Sequence, residues 1–138
     1  MGRVLTEATI ENLKDLWAIE AGSKPPGEIR SITVPDALVD TGARLLSLPT
    51  SLIGRLGLGR TGTRRVRSSI GEGEATLYEA VRLTIGGRAC TLDVMEVPDG
   101  TPVLIGQIPL EQLDYVVDMT SQTLIGNPRH GGEYIIEI

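Results

Sequence analysis

Between Leu77 and Val94 the chain spells out a β-hairpin. Leu77, Val81, Leu83 and Ile85 nearly alternate with Tyr78, Arg82 and Thr84, Gly86-Gly87 supplies a two-residue turn, and Cys90, Leu92 and Val94 alternate again on the return. A lone hairpin cannot bury its apolar face, so it needs more strands around it. The rest of the chain offers them in short pieces. Val4, Ala8 and Ile10 fall at strand period, and Ile29 to Val39 carries Ile32, Val34 and Leu38. Leu45 to Leu48, the polar stretch Thr61 to Ile70, Tyr115 to Val117, Gln122 to Ile125 and the tail Tyr134 to Ile138 have the same strand-like composition. Pro35 cannot donate to a ladder, so it predicts an edge or a bend in the second strand. Seventeen glycines and eight prolines cut the 138 residues into these pieces, and with no Phe the core must be built from Val, Ile and Leu. That length closes around one core, so a mostly β, single-domain fold over residues 1–138 is expected.

Three segments read as helical. Asn12 caps a turn in which Leu13, Leu16 and Trp17 share a face and Asp15 sits near the start, and Gly22 with Pro25-Pro26-Gly27 ends it. Pro49 opens a helix holding Leu52, Ile53 and Leu56, closed by Gly57. Ile108 to Leu113, with Pro109 near its start, is the third. Just before it, Val103-Leu104-Ile105-Gly106 is too continuously apolar for a half-exposed strand and is expected inside the core.

Several function classes are set aside on composition. A formal charge of -5 disfavours a general nucleic-acid or acidic-membrane binder. Cys90 and His130 are each the sole residue of their type, so one chain can form neither a disulfide nor a Cys/His metal cluster, and no metal or other cofactor is expected. With no membrane-length apolar run and no signal-peptide pattern in the first residues, a reducing, cytoplasmic setting is expected. Met1-Gly2 with Thr6 meets the loose acylation pattern, but a structural first strand accounts for those residues. Gly57, Gly59 and Gly62 spell G-x-G-x-x-G with helix and strand in the wrong order for a dinucleotide site, which leaves a loop closing the helix. Arg60, Arg64, Arg65 and Arg67 read as a solvated strand face, Cys90 as a small core residue, Trp17 as core packing and His130 as an exposed tail residue.

The chemistry lies in Asp40-Thr41-Gly42, preceded by Leu38-Val39 and followed by Ala43. A second signature, Leu104-Ile105-Gly106 before a short helix, follows in the order expected, and the glycine-rich Ser69-Ile70-Gly71-Glu72-Gly73 lies between the two. Over Ile29 to Gly126 this arrangement resembles the retropepsin-like aspartic proteases. The resemblance implies a closed β-barrel with one or two short helices that acts as a homodimer, with residues 12–27 as a helix and loop insertion.

It also implies a mechanism. Two carboxylates roughly 3 Å apart share one proton because both cannot ionise, and one of them activates a water against a peptide carbonyl. With one Asp-Thr-Gly per chain, the second Asp40 must come from a second copy. Thr41 would support the paired loops and Gly42 would let the backbone approach the carboxylates. Ala43, a flap of Ile70, Gly71, Glu72 and Gly73, and Leu104, Ile105 and Gly106 would surround an extended peptide. In the family, terminal strands interleave between subunits, a part that would fall here to Val4 to Ile10 and Tyr134 to Ile138. The chain departs from the viral pattern at Arg44 and Gln107, where an Asp and an Arg usually pair. A catalytically silent dimer that binds peptides is the alternative function.

Overall fold

The computed structural model describes residues 3–138, so the Met1-Gly2 pair of the acylation pattern lies outside the described residues. Among the described residues, nine strands and three α-helices follow one another as β1 (Val4–Asn12), α1 (Leu13–Glu20), β2 (Ser31–Val39), β3 (Leu46–Pro49), α2 (Thr50–Leu56), β4 (Arg60–Ser68), β5 (Gly71–Ile85), β6 (Arg88–Val97), β7 (Leu104–Ile105), α3 (Gln107–Leu113), β8 (Tyr115–Asp118) and β9 (Thr123–Gly126). The fold is thus mostly β, and its three α-helices lie at the three segments read as helical, one more than the resemblance alone implied. Seven strands pair in the order β1-β2-β7-β3-β6-β5-β4, and β1 pairs a second time, with β5, over Thr9–Asn12. β8 and β9 form a separate antiparallel pair.

Local chemistry explains the strand irregularities. The alternation along β5 breaks between Tyr78 and Val81, and there the register against β6 shifts by a bulge, which returns Val81, Leu83 and Ile85 to the core face. Pro35 lies inside β2, opposite the place where β1 shifts register between Thr6 and Ala8. Its missing N–H falls where the ladder is already interrupted, and β7 joins β2 only at Leu38 and Val39. At the end of α2, Gly57 takes the left-handed conformation (φ 65°) and donates its N–H to Gly54, so this glycine closes the helix as its spacing predicted. The core joins Ile10 of β1, Leu46 and Leu48 of β3, Leu56 of α2, Val81 and Leu83 of β5, Val94 of β6, Ile105 of β7 and Leu110 and Leu113 of α3, all buried.

The segment from Asn12 to Arg30 is held firmly. Asn12 accepts the Asp15 N–H with its side-chain oxygen, and its Nδ2 donates to the Leu56 carbonyl at 2.7 Å, which ties the start of α1 to the end of α2. The buried Asp15 carboxylate takes the backbone N–H, Nε and Nη2 of Arg30, each at 2.9 Å, and Lys24 Nζ at 2.7 Å. Because Leu13 and Asp15 take the buried face, Trp17 turns outward and is 59% exposed, so the core position expected for it is wrong.

The Arg30 guanidinium, and Lys24 beside it, hold the Asp15 carboxyl well below the usual carboxylate range, against the opposing cost of burial. A depressed carboxylate contributes stability above its unfolded pKa and loses it as pH falls through the folded one. Asp15→Asn should therefore destabilise the chain by about 2–3 kcal/mol at neutral pH, the scale of charge-assisted hydrogen bonds with partly exposed partners. Urea midpoints of wild type and variant should converge as pH drops below about 4.

The tail departs from expectation as well. Tyr134 to Ile138 is not a strand. Gly131 and Gly132, both at positive φ (65° and 80°), turn the chain back toward the end of α3, where the Tyr134 hydroxyl donates to the carbonyls of Ala89 and Gln112. Side-chain anchors take the place of a ladder there, and alternation alone supplies no partner strand.

Candidate active site

β2 carries the chain into the core and releases it at Asp40, which is partly buried. The Asp40 N–H donates to Ile105 O at 3.0 Å, and the Ala43 N–H closes a turn on Asp40 O at 3.1 Å. Within that turn the Gly42 N–H donates to Asp40 Oδ1 at 3.0 Å. A Cβ on Gly42 would stand 3.2 Å from the same oxygen, so a side chain there would crowd the carboxylate. Thr41 is exposed, and among the described residues its hydroxyl has no hydrogen-bond partner.

The second signature packs against the first. Leu104 and Ile105 pair in parallel with Leu38 and Val39, and antiparallel with Ser47 and Leu46. A helix leaves its first N–H groups unsatisfied, and α3 gives two of its own to the Asp40 loop: Gln107 donates to Ala43 O at 2.9 Å and Ile108 to Arg44 O at 3.0 Å. Gly106 donates to Leu45 O at 3.0 Å. The buried Gly106 lies so close to this loop that a Cβ would meet Arg44 C at 2.5 Å and the N and O of Leu45 at 2.7 Å. The loop is thereby fixed by backbone bonds from both sides. Arg44 is exposed, and Gln107 reaches along its own helix to Glu111 at 3.3 Å, so the ion pair usual at these two places is absent, as the residue types require.

The glycine-rich segment forms the turn of the β4–β5 hairpin, with Ser68 opposite Gly71 and Ile70 fully exposed at the tip. Arg65 and Arg67 bond Glu72 along one face, and Arg60, Arg64, Arg65 and Arg67 are all exposed, which agrees with a solvated strand. The structure thus brings Asp40 to Ala43 together with Leu104 to Gly106. An open hollow of about 390 Å³ beside Asp40 and Thr41 is walled by Leu38, Val39, Arg3, Val4, Val117, Met119 and Gln122, and the residues of the hairpin tip, Ile70 to Gly73, are not part of that wall.

Val117 reaches this hollow from β8, and Met119 and Gln122 reach it from the turn between β8 and β9. No local motif marks them, since their place beside Asp40 depends on long-range packing. Cys90 is partly buried and packs on the core; burial pushes its thiol up to about 11, so it is a poor nucleophile. His130 is not an exposed tail residue: its side chain is 14% exposed and is engaged at both ring nitrogens by Asp114 and Glu137. Among the described residues no group of His, Cys, Asp and Glu is arranged to hold a metal ion, and no helix is long and apolar enough to cross a membrane.

Residues 26–108 match the family model described as "Aspartyl protease". No curated protein matches the chain. Among solved structures, the chain is similar to the protease of simian foamy virus (mac), at 17% identity and a TM-score of 0.48, over 79% of this chain and 93% of that one.

Proposed function

The chain belongs to the retropepsin-like aspartyl protease family, and from that membership we propose that it is an aspartic endopeptidase whose site is completed by a second copy of itself. The observation that carries this reading is the lock between the two signatures: one Asp40 carboxylate, presented on a loop held by Ile105 and by the first amides of α3. A carboxylate so fixed is suited to hold a water for attack on a carbonyl. The sharing of one proton needs a like partner close by, and an isologous dimer supplies the same residue across its axis.

Thr41 is exposed and without a hydrogen-bond partner among the described residues, which supports a role for it in a contact across that axis. Gly42 leaves the carboxylate uncrowded. Ala43 and Leu104, which are partly exposed, would line the peptide's path, the buried Ile105 and Gly106 would support them from beneath, and Ile70 to Gly73 of the hairpin would close over an extended peptide. The closed barrel is supported by the second pairing of β1, with β5. Because the tail is folded against its own chain, the surface next to Asp40 is a better candidate for the subunit contact. Leu5 and Met119 lie exposed on β1 and the β8–β9 turn, whose neighbouring residues line the same hollow.

Cleavage of a peptide library by the purified chain tests the activity, and binding without cutting at acidic and neutral pH would favour the silent peptide-binding dimer instead. Mixing tests the shared site. If wild type and Asp40→Asn exchange at random in equal amounts, about a quarter of the dimers are wild-type homodimers. Activity should follow the square of the wild-type fraction, and a linear dependence after verified exchange would mean that Asp40 acts alone.

A further inference from the structure

Asp114 ends α3 in the left-handed conformation (φ 57°) and gathers the chain that follows. Its Oδ1 takes Asn127 Nδ2 at 3.2 Å, and its Oδ2 lies 2.6 Å from His130 Nδ1. On the other side of the ring, His130 Nε2 lies 2.6 Å from Glu137 Oε1, close to the end of the chain. Both ring nitrogens therefore face carboxylate oxygens. A neutral imidazole has one N–H and can donate to one of them, whereas an imidazolium donates to both.

We propose that His130 is a pH-sensitive clasp that, while protonated, holds the C-terminal residues against the end of α3 through Glu137. The two carboxylates, Asp114 first, raise the imidazole above its ordinary value, in line with the geometry. Arg88, at the start of β6, donates to the carbonyls of Leu113, Asp114 and Gly132 and lies between the rings of Tyr115 (4.5 Å) and Tyr134 (5.1 Å). Through these contacts it ties the chain as far as Tyr134 to the end of α3. Arg129 and Glu133, which flank the turn, are exposed.

The two arms of the clasp are unequal. Asp114 is 12% exposed and keeps Asn127, so a neutral His130 still has reason to donate to it. Glu137 is 68% exposed, so water replaces a lost N–H at little cost. A raised imidazole contributes its bond fully below the ordinary value and loses it as pH rises through the folded one. Deprotonation thus frees the end of the chain and leaves the Pro128–His130 turn in place. The freed segment is Ile136 to Ile138, because Tyr134 keeps its bonds to Ala89 and Gln112 and the Ile135 N–H keeps Asp114.

The test is an NMR titration of the full chain, in which the sole histidine gives an unambiguous ring signal. Backbone order at Ile136 and Ile138 should fall as pH rises, with the same midpoint as the His130 ring. In Glu137→Ala, which has no side-chain acceptor, the ring midpoint should drop by about 0.5 unit or more, and the tail should be mobile at every pH. A wild-type tail whose order does not change through the ring midpoint would overturn the clasp, as would a variant with unchanged midpoint and tail order. Neither readout depends on proteolysis, so the clasp and the protease reading stand or fall separately.

Discussion

Asp40→Asn is expected to lower turnover of a cleavable peptide by about 10²–10⁴-fold, the usual cost of removing a general base, equivalent to about 3–5 kcal/mol of barrier. The fold should not change, because the carboxamide has the same size and its oxygen can still accept the Gly42 N–H that Asp40 Oδ1 now receives at 3.0 Å. The comparison to make is kcat for pure variant and wild type, alongside their urea midpoints and sedimentation. A variant that retains turnover would remove Asp40 from the chemistry. One that loses both activity and stability would show only that the loop had collapsed.

Gly106→Ala should be the most disruptive single methyl in the chain's active half. Gly106 has an ordinary negative φ of -86°, so the cost is not one of backbone conformation. It is one of space: the new Cβ would meet Arg44 C at 2.5 Å and Leu45 N and O at 2.7 Å, and these are backbone atoms that cannot swing aside. Either the chain loses about 3 kcal/mol or more of stability, the upper range for overpacking, or the Asp40 loop moves away from α3. A displacement of even about 1 Å at a reacting group costs on the order of 10²-fold in rate. Chemical denaturation and peptide turnover on the same sample separate these outcomes, and a variant with wild-type stability and activity would show that the loop yields more easily than its bonds suggest.

Much of this was legible in the order of residues, for reasons that are local. The β5–β6 hairpin follows from alternation and the Gly86-Gly87 turn, the end of α2 from Gly57, and the meeting of Asp40 with Ile105 from two short signatures whose neighbours are buried strands. What escaped was tertiary. Trp17 has the spacing of a core residue, but α1 gives its buried face to Leu13 and Asp15, and the Arg30 partner of that aspartate is set by a loop that carries no periodic signal. Tyr134 to Ile138 alternates like a strand, yet the glycine turn before it and the anchors at Asp114, Ala89 and Gln112 decide its course. Met119 and Gln122 reach the hollow beside Asp40 because the β8–β9 pair folds there, which no spacing announces.

On either side of its bulge β5 is paired with β6, but before Leu77 the same strand runs on as an arm. Beyond the bulge, Val81 to Ile85 is stitched to β6 and, with Asn12 to Thr9, to β1, and its alternate side chains are buried. In the arm, Gly71 to Glu74 is exposed and bonded only to β4, which is itself the edge of the sheet. Openings in such a strand begin where few buried contacts resist them. Leu77 and Tyr78 still pair with β6, so bending of the arm is expected between Glu74 and Leu77, where β5 leaves that neighbour, and the tip can lift while the half of the same strand that helps to build the core keeps its register.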